Sequence, residues 1–265
     1  MTSSSGAEEI WIRRFHHGLP GGNRLVCFPH AGGSASYYYP FSQALAPRTE
    51  VLAVQYPGRQ DRRREPLVDS IPRLADHIAD ALERQGADSA AYFGHSMGAV
   101  LAYEVAQRLR ERAAQGPARL FVSGRRAPSR RRPGGPGRVH LRDDDGLVAE
   151  LRKVGGTDPS FLNDRELLAE ILPVTRNDYK AIETYVWADR PPLDCPITAL
   201  VGDHDPQTTS DEAAAWAEHT TGAFDLRVFP GGHFYLDARR DDVTDVVTAA
   251  LDPTPAVNTL EGNTA

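Results

Sequence analysis

Hydrophobic residues in this chain form short runs that alternate with amphipathic stretches. Six runs have the length and composition of strands buried on both faces: RLVCF (24–28), VLAVQY (51–56), AAYFG (90–94), RLFVSG (119–124), ITALVG (197–202) and DLRVFPG (225–231). Residues 70–85 and 97–113 instead repeat apolar residues at helical spacing, with Ser70 as a candidate N-cap of the first helix. Their apolar stripes consist of Ile71, Leu74, Ile78 and Leu82, and of Leu101, Val105 and Leu109. This alternation predicts an α/β fold, with a mostly parallel central sheet and helices on both faces.

The alternation stops after Gly124. Residues 125–196 begin with a loop rich in arginine, proline and glycine and continue with two helical patterns. A long helical insertion at one point of a parallel sheet commonly covers the carboxyl ends of the strands. We therefore expect one domain over residues 10–251, with its core in 10–124 and 197–251 and a helical lid in 125–196.

Composition and charge narrow the class of protein. The chain has 265 residues, 40% of them hydrophobic, which is enough for one sizeable core. The polar ends, residues 1–9 and 252–265, are expected to be disordered. No apolar run approaches the roughly 20 residues of a membrane span, and the start lacks the layout of a signal peptide. The only cysteines are Cys27 and Cys195, which favours a reducing, cytoplasmic setting. The formal charge of −6 gives no reason to expect nucleic-acid binding.

Positive charge is concentrated in two short segments, GRQDRRREP (58–66) and GRRAPSRRRPGGPGR (124–138). Charge runs are usually solvated loops, and this is the simpler reading. The alternative is contact with an anionic partner. Composition alone leaves both readings open.

One pentapeptide carries candidate catalytic chemistry. GHSMG (94–98) lies between an apolar strand and a helical pattern. Gly94 and Gly98 suit a tight strand–turn–helix connection in which larger side chains would clash. Such a turn exposes Ser96 at the carboxyl edge of the sheet and directs the amino terminus of the next helix at developing negative charge. The alternative reading is a structural turn flanked by glycines.

A serine nucleophile needs a base, and the base needs an orienting carboxylate. In α/β-hydrolases these residues follow the serine in the order Asp or Glu, then His. DHDPQ and GHFYL each follow a predicted strand, so both lie at the carboxyl edge. His233 is therefore the predicted base. Asp205 is favoured over Asp203 as the acid, because its spacing from Gly202 carries it past the strand end. Asp203 is then expected to cap the loop or to be solvated.

Acyl transfer also needs amide donors for the developing oxyanion. One predicted donor is the amide of Met97, directly after the nucleophile. The second is the amide of Ala31, in the glycine-containing loop CFPHAGGSASYYYPF (27–41). His95 is expected to pack or hydrogen-bond away from Ser96. The other histidines lack metal-ligand spacing, so no metal site is predicted.

Five segments carry a more specific signal than the pentapeptide alone. They are CFPHAGGSASYY, VQYPGRQDRRREP, YFGHSMGAVLAYEVA, LVGDHDP and FPGGHFYL, spread over residues 11–251. In this order they resemble the stand-alone type II thioesterases of modular polyketide and nonribosomal peptide synthesis, which have the α/β-hydrolase fold with a helical lid. The resemblance implies the same site residues: Ser96, His233, Asp205, Ala31 and Met97. The opening IWIRRF is more similar to the polyketide branch of the family.

The resemblance implies a hydrolase that removes short or aberrant acyl groups from the phosphopantetheine arm of acyl carrier proteins, without a metal or bound cofactor. We further expect a monomer with no nucleic-acid or membrane partner. Because such carriers are usually acidic, we hypothesise that exposed arginines dock the carrier or the phosphate of the arm. The candidates are Arg62, Arg63, Arg64, Arg130, Arg131 and Arg132. Three alternatives remain: a general carboxylesterase of small esters, a product-releasing thioesterase and a non-catalytic binding protein.

Overall fold

A seven-stranded sheet forms the centre of the molecule. The computed structural model describes residues 10–130, 138–158 and 160–252, so Arg131, Arg132, the first nine residues and the tail beyond 252 lie outside the described part. The strands are β1 (Ile12–Arg14), β2 (Asn23–Phe28), β3 (Thr49–Val54), β4 (Ala91–His95), β5 (Leu120–Ser123), β6 (Ile197–Gly202) and β7 (Phe224–Phe229). Their order in the sheet is β1-β3-β2-β4-β5-β6-β7. Only β1 pairs antiparallel, with β3, and all other pairs are parallel. The predicted α/β fold is confirmed.

Eight α-helices accompany these strands in the described residues. They are α1 (Tyr39–Leu45), α2 (Ile71–Arg84), α3 (Met97–Glu111), α4 (Asp144–Val154), α5 (Arg165–Glu183), α6 (Ser210–Ala214), α7 (Tyr235–Ala238) and α8 (Arg240–Leu251). Ser70 caps α2 as predicted, since its side chain accepts a hydrogen bond from the Arg73 amide. The sequence analysis did not anticipate β1 or α1, which are too short to show a period.

The sheet separates two apolar cores, because successive side chains of a strand point to opposite faces. In β2, Val26 and Phe28 join the core under α2 and α3. Leu25 and Cys27 join the opposite core, under α1 and α8. Burial raises the pKa of the Cys27 thiol well above its ordinary value, in keeping with a small buried hydrophobe.

The insertion, residues 125–196, leaves the sheet after β5 and returns at β6. Its helices α4 and α5 begin at the capping carboxylates of Asp143 and Asp164. Helix α5 continues through Pro173, and the two helices share a small apolar cluster of their own. The division of the chain into a core and a lid stays a prediction. Within the three described ranges, no helix is both long enough and apolar enough to cross a membrane.

Candidate active site

Ser96 lies in the sharp turn between β4 and α3, where its backbone has φ 54° and ψ −114°. The turn is possible because both flanking glycines lack a Cβ. A Cβ on Gly94 would lie 2.2 Å from the carbonyl oxygen of Gly98, and one on Gly98 would lie 1.9 Å from that of Phe28. The backbone thus holds the Ser96 side chain at the carboxyl edge of the sheet in an unfavourable conformation.

His233 and Asp205 are brought together from the loops after β7 and β6. The Nδ1 atom of His233 lies 2.8 Å from Oδ2 of Asp205, and both side chains are buried. The other carboxylate oxygen, Oδ1, accepts a hydrogen bond of 2.7 Å from the Gln207 amide. With Nδ1 engaged by the carboxylate, Nε2 is the ring nitrogen left to exchange a proton. His233 and Ser96 line the same cavity.

Asp203, the competing carboxylate, has a different environment. Its Oδ1 accepts a hydrogen bond of 2.9 Å from the Gly231 amide and lies 2.6 Å from Nδ1 of His204. The hydrogen bond from the Gly231 amide, and to a smaller extent the one with His204, lowers the pKa of this exposed carboxyl group. Asp203 therefore ties the loop after β6 to the loop after β7.

The two expected amide donors line the cavity beside Ser96. Met97 is the first residue of α3, and amides in the first turn of a helix have no acceptor within the helix. Ala31 lies in the loop after β2. Within the described residues, neither amide donates to a protein acceptor. Both are therefore available to a negatively charged oxygen bound next to Ser96.

Two further histidines lie near His233: His95, in ring contact with it, and His30, which lines the same cavity and contacts His95. Nδ1 of His95 lies 3.0 Å from the Ser123 hydroxyl, and the ring centroids of His95 and His233 are 4.9 Å apart. Burial, and secondarily the charge of His233, lowers the pKa of His95 well below its ordinary value. The same causes, with a contribution from Arg59, lower the pKa of His30 to about 3. Both rings are therefore neutral at physiological pH.

The cavity at this edge has a volume of about 380 Å³. The insertion supplies its apolar wall, and the loop after β2 supplies a polar rim that includes Ser34 and Ser36. The apolar wall consists of Leu151, Val154, Phe161, Ile171, Tyr179 and Ile182. In the part of the chain that the structure describes, no cluster of three His, Cys, Asp or Glu residues could hold a metal ion.

The candidate docking arginines do not share one environment. Arg62 is only 5% exposed, pairs with Glu65 and lies over the ring of Trp11. This burial contradicts its assignment as a docking residue, because its guanidinium already has partners inside the fold. Arg63 and Arg64 are exposed, whereas the exposed Arg130 pairs with Glu218.

The structure also adds buried polar residues that the sequence analysis did not assign to the site. Arg59 pairs with Asp178 of α5 next to the loop after β2. The side-chain nitrogen of Gln207 donates to the buried carboxylate of Glu150 in α4 over 3.1 Å. Because the backbone amide of Gln207 also donates to Asp205, Gln207 connects Asp205 to α4. Arg59 had a signal, since it lies in VQYPGRQDRRREP, one of the five segments that carry the family resemblance. Asp178 had no such signal, because a single acidic residue within a helical pattern is expected on the solvent-exposed face of the helix.

Comparison with known proteins agrees with this geometry. Residues 23–251 match the family model described as "Thioesterase domain". The "Probable cadicidin biosynthesis thioesterase" of Streptomyces griseus is 49% identical over 253 residues, which cover 96% of this chain and 69% of that relative. Thioesterase PikA5 of Streptomyces venezuelae is 48% identical over 244 residues, covering 91% and 85%.

Solved structures give the same answer. The type II thioesterase BorB from the borrelidin biosynthetic cluster superposes with a TM-score of 0.85 at 48% identity, covering 92% of this chain and 98% of that one. RedJ, from the prodiginine pathway of Streptomyces coelicolor, has a TM-score of 0.83 at 41% identity, covering 89% and 94%. The family match spans most of the chain. Ser96, His233 and Asp205 all lie just beyond strands at the carboxyl edge of the sheet, which has the α/β-hydrolase architecture of these structures. The chain therefore belongs to the thioesterase domain family and is a serine hydrolase that acts on thioesters.

Proposed function

We propose that this thioesterase removes short or aberrant acyl groups from the phosphopantetheine arm of carrier proteins in polyketide or nonribosomal peptide synthesis. One observation carries the proposal. Ser96 and His233, the latter held by Asp205, open into a small cavity with an apolar wall. The names of the relatives support a biosynthetic role, since BorB comes from the borrelidin biosynthetic cluster and RedJ from the prodiginine biosynthetic pathway.

In the first half-reaction, Ser96 attacks the thioester carbonyl while Nε2 of His233 accepts the hydroxyl proton. Asp205 stabilises the imidazolium ion that forms. The carbonyl electron pair moves onto oxygen, and the amides of Ala31 and Met97 hold this oxyanion. When the tetrahedral intermediate collapses, the carbon–sulfur bond breaks and His233 returns the proton to the departing thiol. The product is an acyl ester of Ser96.

In the second half-reaction, water replaces the thiol. His233 removes a proton from the water as its oxygen attacks the ester carbonyl. The same two amides hold the second oxyanion, and Ser96 recovers its proton as the carbon–oxygen bond breaks. The carboxylic acid leaves, and the enzyme returns to its starting state. Each step uses groups of this chain and the substrate.

The size of the cavity favours short acyl groups. About 380 Å³ is near the lower end of ordinary small-molecule sites. Part of this volume must also admit the end of the phosphopantetheine arm. The apolar wall built by α4 and α5 suits a short alkyl chain, because burying each methylene contributes about 0.8 kcal/mol.

Docking of the carrier is proposed at the exposed arginines after β3. Gln60, three residues before Arg63, donates to the hydroxyls of Ser34 and Ser36 at the cavity rim, over 3.0 and 2.7 Å. Because Arg63 donates to the Gln60 carbonyl over 3.4 Å, we expect the exposed Arg63 and Arg64 near the mouth, where they can meet an acidic carrier. Arg130 belongs to the same hypothesis, although the negative charge of its partner Glu218 offsets its attraction for an acidic carrier.

The decisive experiment compares hydrolysis of carrier protein loaded with acetyl, propionyl, carboxylated extender and longer acyl groups. The wild-type enzyme is expected to favour acetyl and propionyl over the carboxylated units, and Ser96→Ala should lose turnover of all of them. Activity confined to one long, mature chain would identify a product-releasing enzyme. Turnover of small oxygen esters without any carrier substrate would identify a general carboxylesterase. A wild-type protein that turns over none of these substrates would be a binding protein.

A further inference from the structure

The segment QYPGR (55–59) wraps around the loop that carries Ala31. We call residues 29–35 the oxyanion loop. The Tyr56 hydroxyl donates to the carbonyl of Pro29 over 3.0 Å, and the Ala35 amide donates to the side-chain oxygen of Gln55 over 2.7 Å. Both Gln55 and Tyr56 are fully buried. The two ends of the oxyanion loop are therefore fixed by adjacent residues of one segment.

The middle of the oxyanion loop is held by two charged residues. Arg59 donates to the Gly33 carbonyl over 2.9 Å. The Gly32 amide donates to Oδ2 of Asp178 over 2.8 Å. This amide belongs to the peptide unit directly after Ala31, so its contact restricts the backbone on which the Ala31 donor depends.

Asp178 is fixed in turn by Arg59. The guanidinium contacts both carboxylate oxygens, at 2.7 and 3.0 Å, and the side chains of Arg59 and Asp178 are 7% and 1% exposed. A buried two-point contact of this kind sets a position sharply, because both hydrogen bonds must be satisfied together and removal of either residue leaves a buried charge without its partner. Oδ2 accepts from Arg59 and from Gly32 at the same time.

Helix α5 brings Asp178 to the oxyanion loop by close packing. A Cβ on Gly32 would lie 2.6 Å from the Thr175 hydroxyl, and Gly32 itself has φ +78°. A second ion pair on the same helix offers a comparison. Lys180 contacts Asp69 at 2.5 Å, but Lys180 is exposed and Asp69 half-buried, and within the described residues neither side chain makes a polar contact with the oxyanion loop.

We infer that Asp178, held by Arg59, is a positioning residue that places the Ala31 amide for the oxyanion. The inference rests on the proposed roles of Ser96 and Ala31. It adds that the insertion supports transition-state stabilisation through the Asp178–Gly32 contact, besides lining the cavity. Removal of Asp178 should therefore lower kcat and leave KM nearly unchanged, because the ground-state thioester needs no oxyanion contact.

The test uses the full chain and a short-chain acyl thioester of N-acetylcysteamine, so that carrier docking plays no part. Asp178→Ala is expected to lower kcat about 10- to 100-fold, with KM within about twofold of wild type. Asp178→Asn keeps the shape and one acceptor oxygen for Gly32, and it should lose less. Lys180→Met, the matched control on the same helix, should keep kcat within about twofold.

A second readout separates positioning from general loosening of the fold. An acyl trifluoromethyl ketone with a thioether arm reacts with Ser96 to form a carbon–oxygen bond, while the carbonyl pair becomes an oxyanion and His233 takes the serine proton. Its inhibition constant should rise in the Asp178 variants by the same factor by which kcat/KM falls. If kcat/KM falls while the inhibition constant stays at the wild-type value, the inference is overturned.

The remaining outcomes are also decisive. If Asp178→Ala does not fold, Asp178→Asn alone decides: a kcat loss of more than about twofold at unchanged KM supports the inference, and a smaller loss overturns it. A loss in Lys180→Met equal to that in the Asp178 variants would also overturn it. Failure of the proposed function has a different signature, because it appears in the wild-type enzyme as missing or long-chain-only turnover of acyl carrier substrates, whatever the Asp178 variants do to the small thioester.

Discussion

Asp203 and Asp205 are two residues apart, but they contact different groups and therefore have different roles. Asp205 is buried and holds Nδ1 of His233 at 2.8 Å, while Asp203 is exposed and accepts from the Gly231 amide. Both carboxylates lie just beyond β6, and only the direction of the turn separates them. This relationship gives a matched pair of variants.

Asp205→Asn is expected to lower kcat about 10³- to 10⁴-fold, because the amide no longer stabilises the imidazolium ion and favours the wrong tautomer of His233. Asp203→Asn should retain activity within a few-fold, since it removes only a loop contact. Steady-state hydrolysis of a small acyl thioester by both purified variants measures the difference. Equal losses in the two variants would contradict the assignment of the acid.

Ser96→Gly is expected to make the protein more stable while abolishing its activity. The residue has φ 54° and ψ −114°, a region that glycine adopts without the steric penalty of a Cβ. The expected gain is about 1 kcal/mol, or 2–4 °C in Tm. Ser96→Ala keeps the Cβ and serves as the control, so thermal unfolding should leave its Tm below that of the glycine variant.

Gly98→Ala should destabilise the fold by about 3 kcal/mol or more, because the new Cβ meets backbone that no side-chain rotation can move. Its closest neighbour would be the Phe28 carbonyl oxygen, at 1.9 Å. Gly232→Ala is the control, since nothing lies within 4 Å of a Cβ at that position. Denaturant unfolding of both variants tests the expectation, and a Gly98→Ala midpoint equal to wild type would refute it.

The stability of the protein should fall as the pH decreases from about 6.5 to about 4. Burial lowers the pKa of His219 to about 4, and the unfolded histidine titrates near 6.5. Between these values the unfolded chain binds the extra proton, so acid favours unfolding. His30 acts in the same direction. Above pH 6.5 both states are neutral at these positions, and this contribution to the pH dependence disappears.

His219→Gln tests the source of this pH dependence. The histidine packs against Tyr103 and Trp216, and its Nε2 lies 2.9 Å from the Ser129 hydroxyl, a contact that a glutamine amide can replace. The difference in unfolding free energy between pH 7 and 4.5 should shrink by about 1–3 kcal/mol in the variant. An unchanged difference would show that other groups cause the acid sensitivity.

Charge reversal of the two exposed arginines after β3 tests carrier docking. Arg63→Glu combined with Arg64→Glu should raise KM for an acyl carrier protein about three- to tenfold at low salt, and leave KM for a small thioester unchanged. Arg48→Glu is the control, because Arg48 is exposed but precedes β3, at the opposite edge of the sheet. Equal effects on both kinds of substrate would argue against docking at these arginines.

The sequence was most informative where a chemically reactive side chain directly follows a predicted strand. His233 and Asp205 follow apolar runs, and parallel strands bring their carboxyl ends to one edge, so their meeting could be predicted. Contacts between distant segments could not. Arg59 and Asp178 are 119 residues apart and meet only after α5 packs on the sheet. Arg62 was misassigned because Trp11, the ring that covers its guanidinium, could not be placed from the sequence. Trp11 directly precedes β1, and a strand of three residues is too short to show a hydrophobic pattern.

Helix α5 limits how the substrate range of this enzyme can change. It provides cavity residues such as Ile171 and Ile182, and between them the carboxylate that binds Gly32. Recombination that replaces the whole helix would exchange the acyl-facing surface and the Gly32 contact together. Gradual divergence through single substitutions at positions 171 and 182 leaves the contact in place. Directed evolution toward new acyl groups should therefore randomise those two positions and keep Thr175, which packs against Gly32, and Asp178 constant.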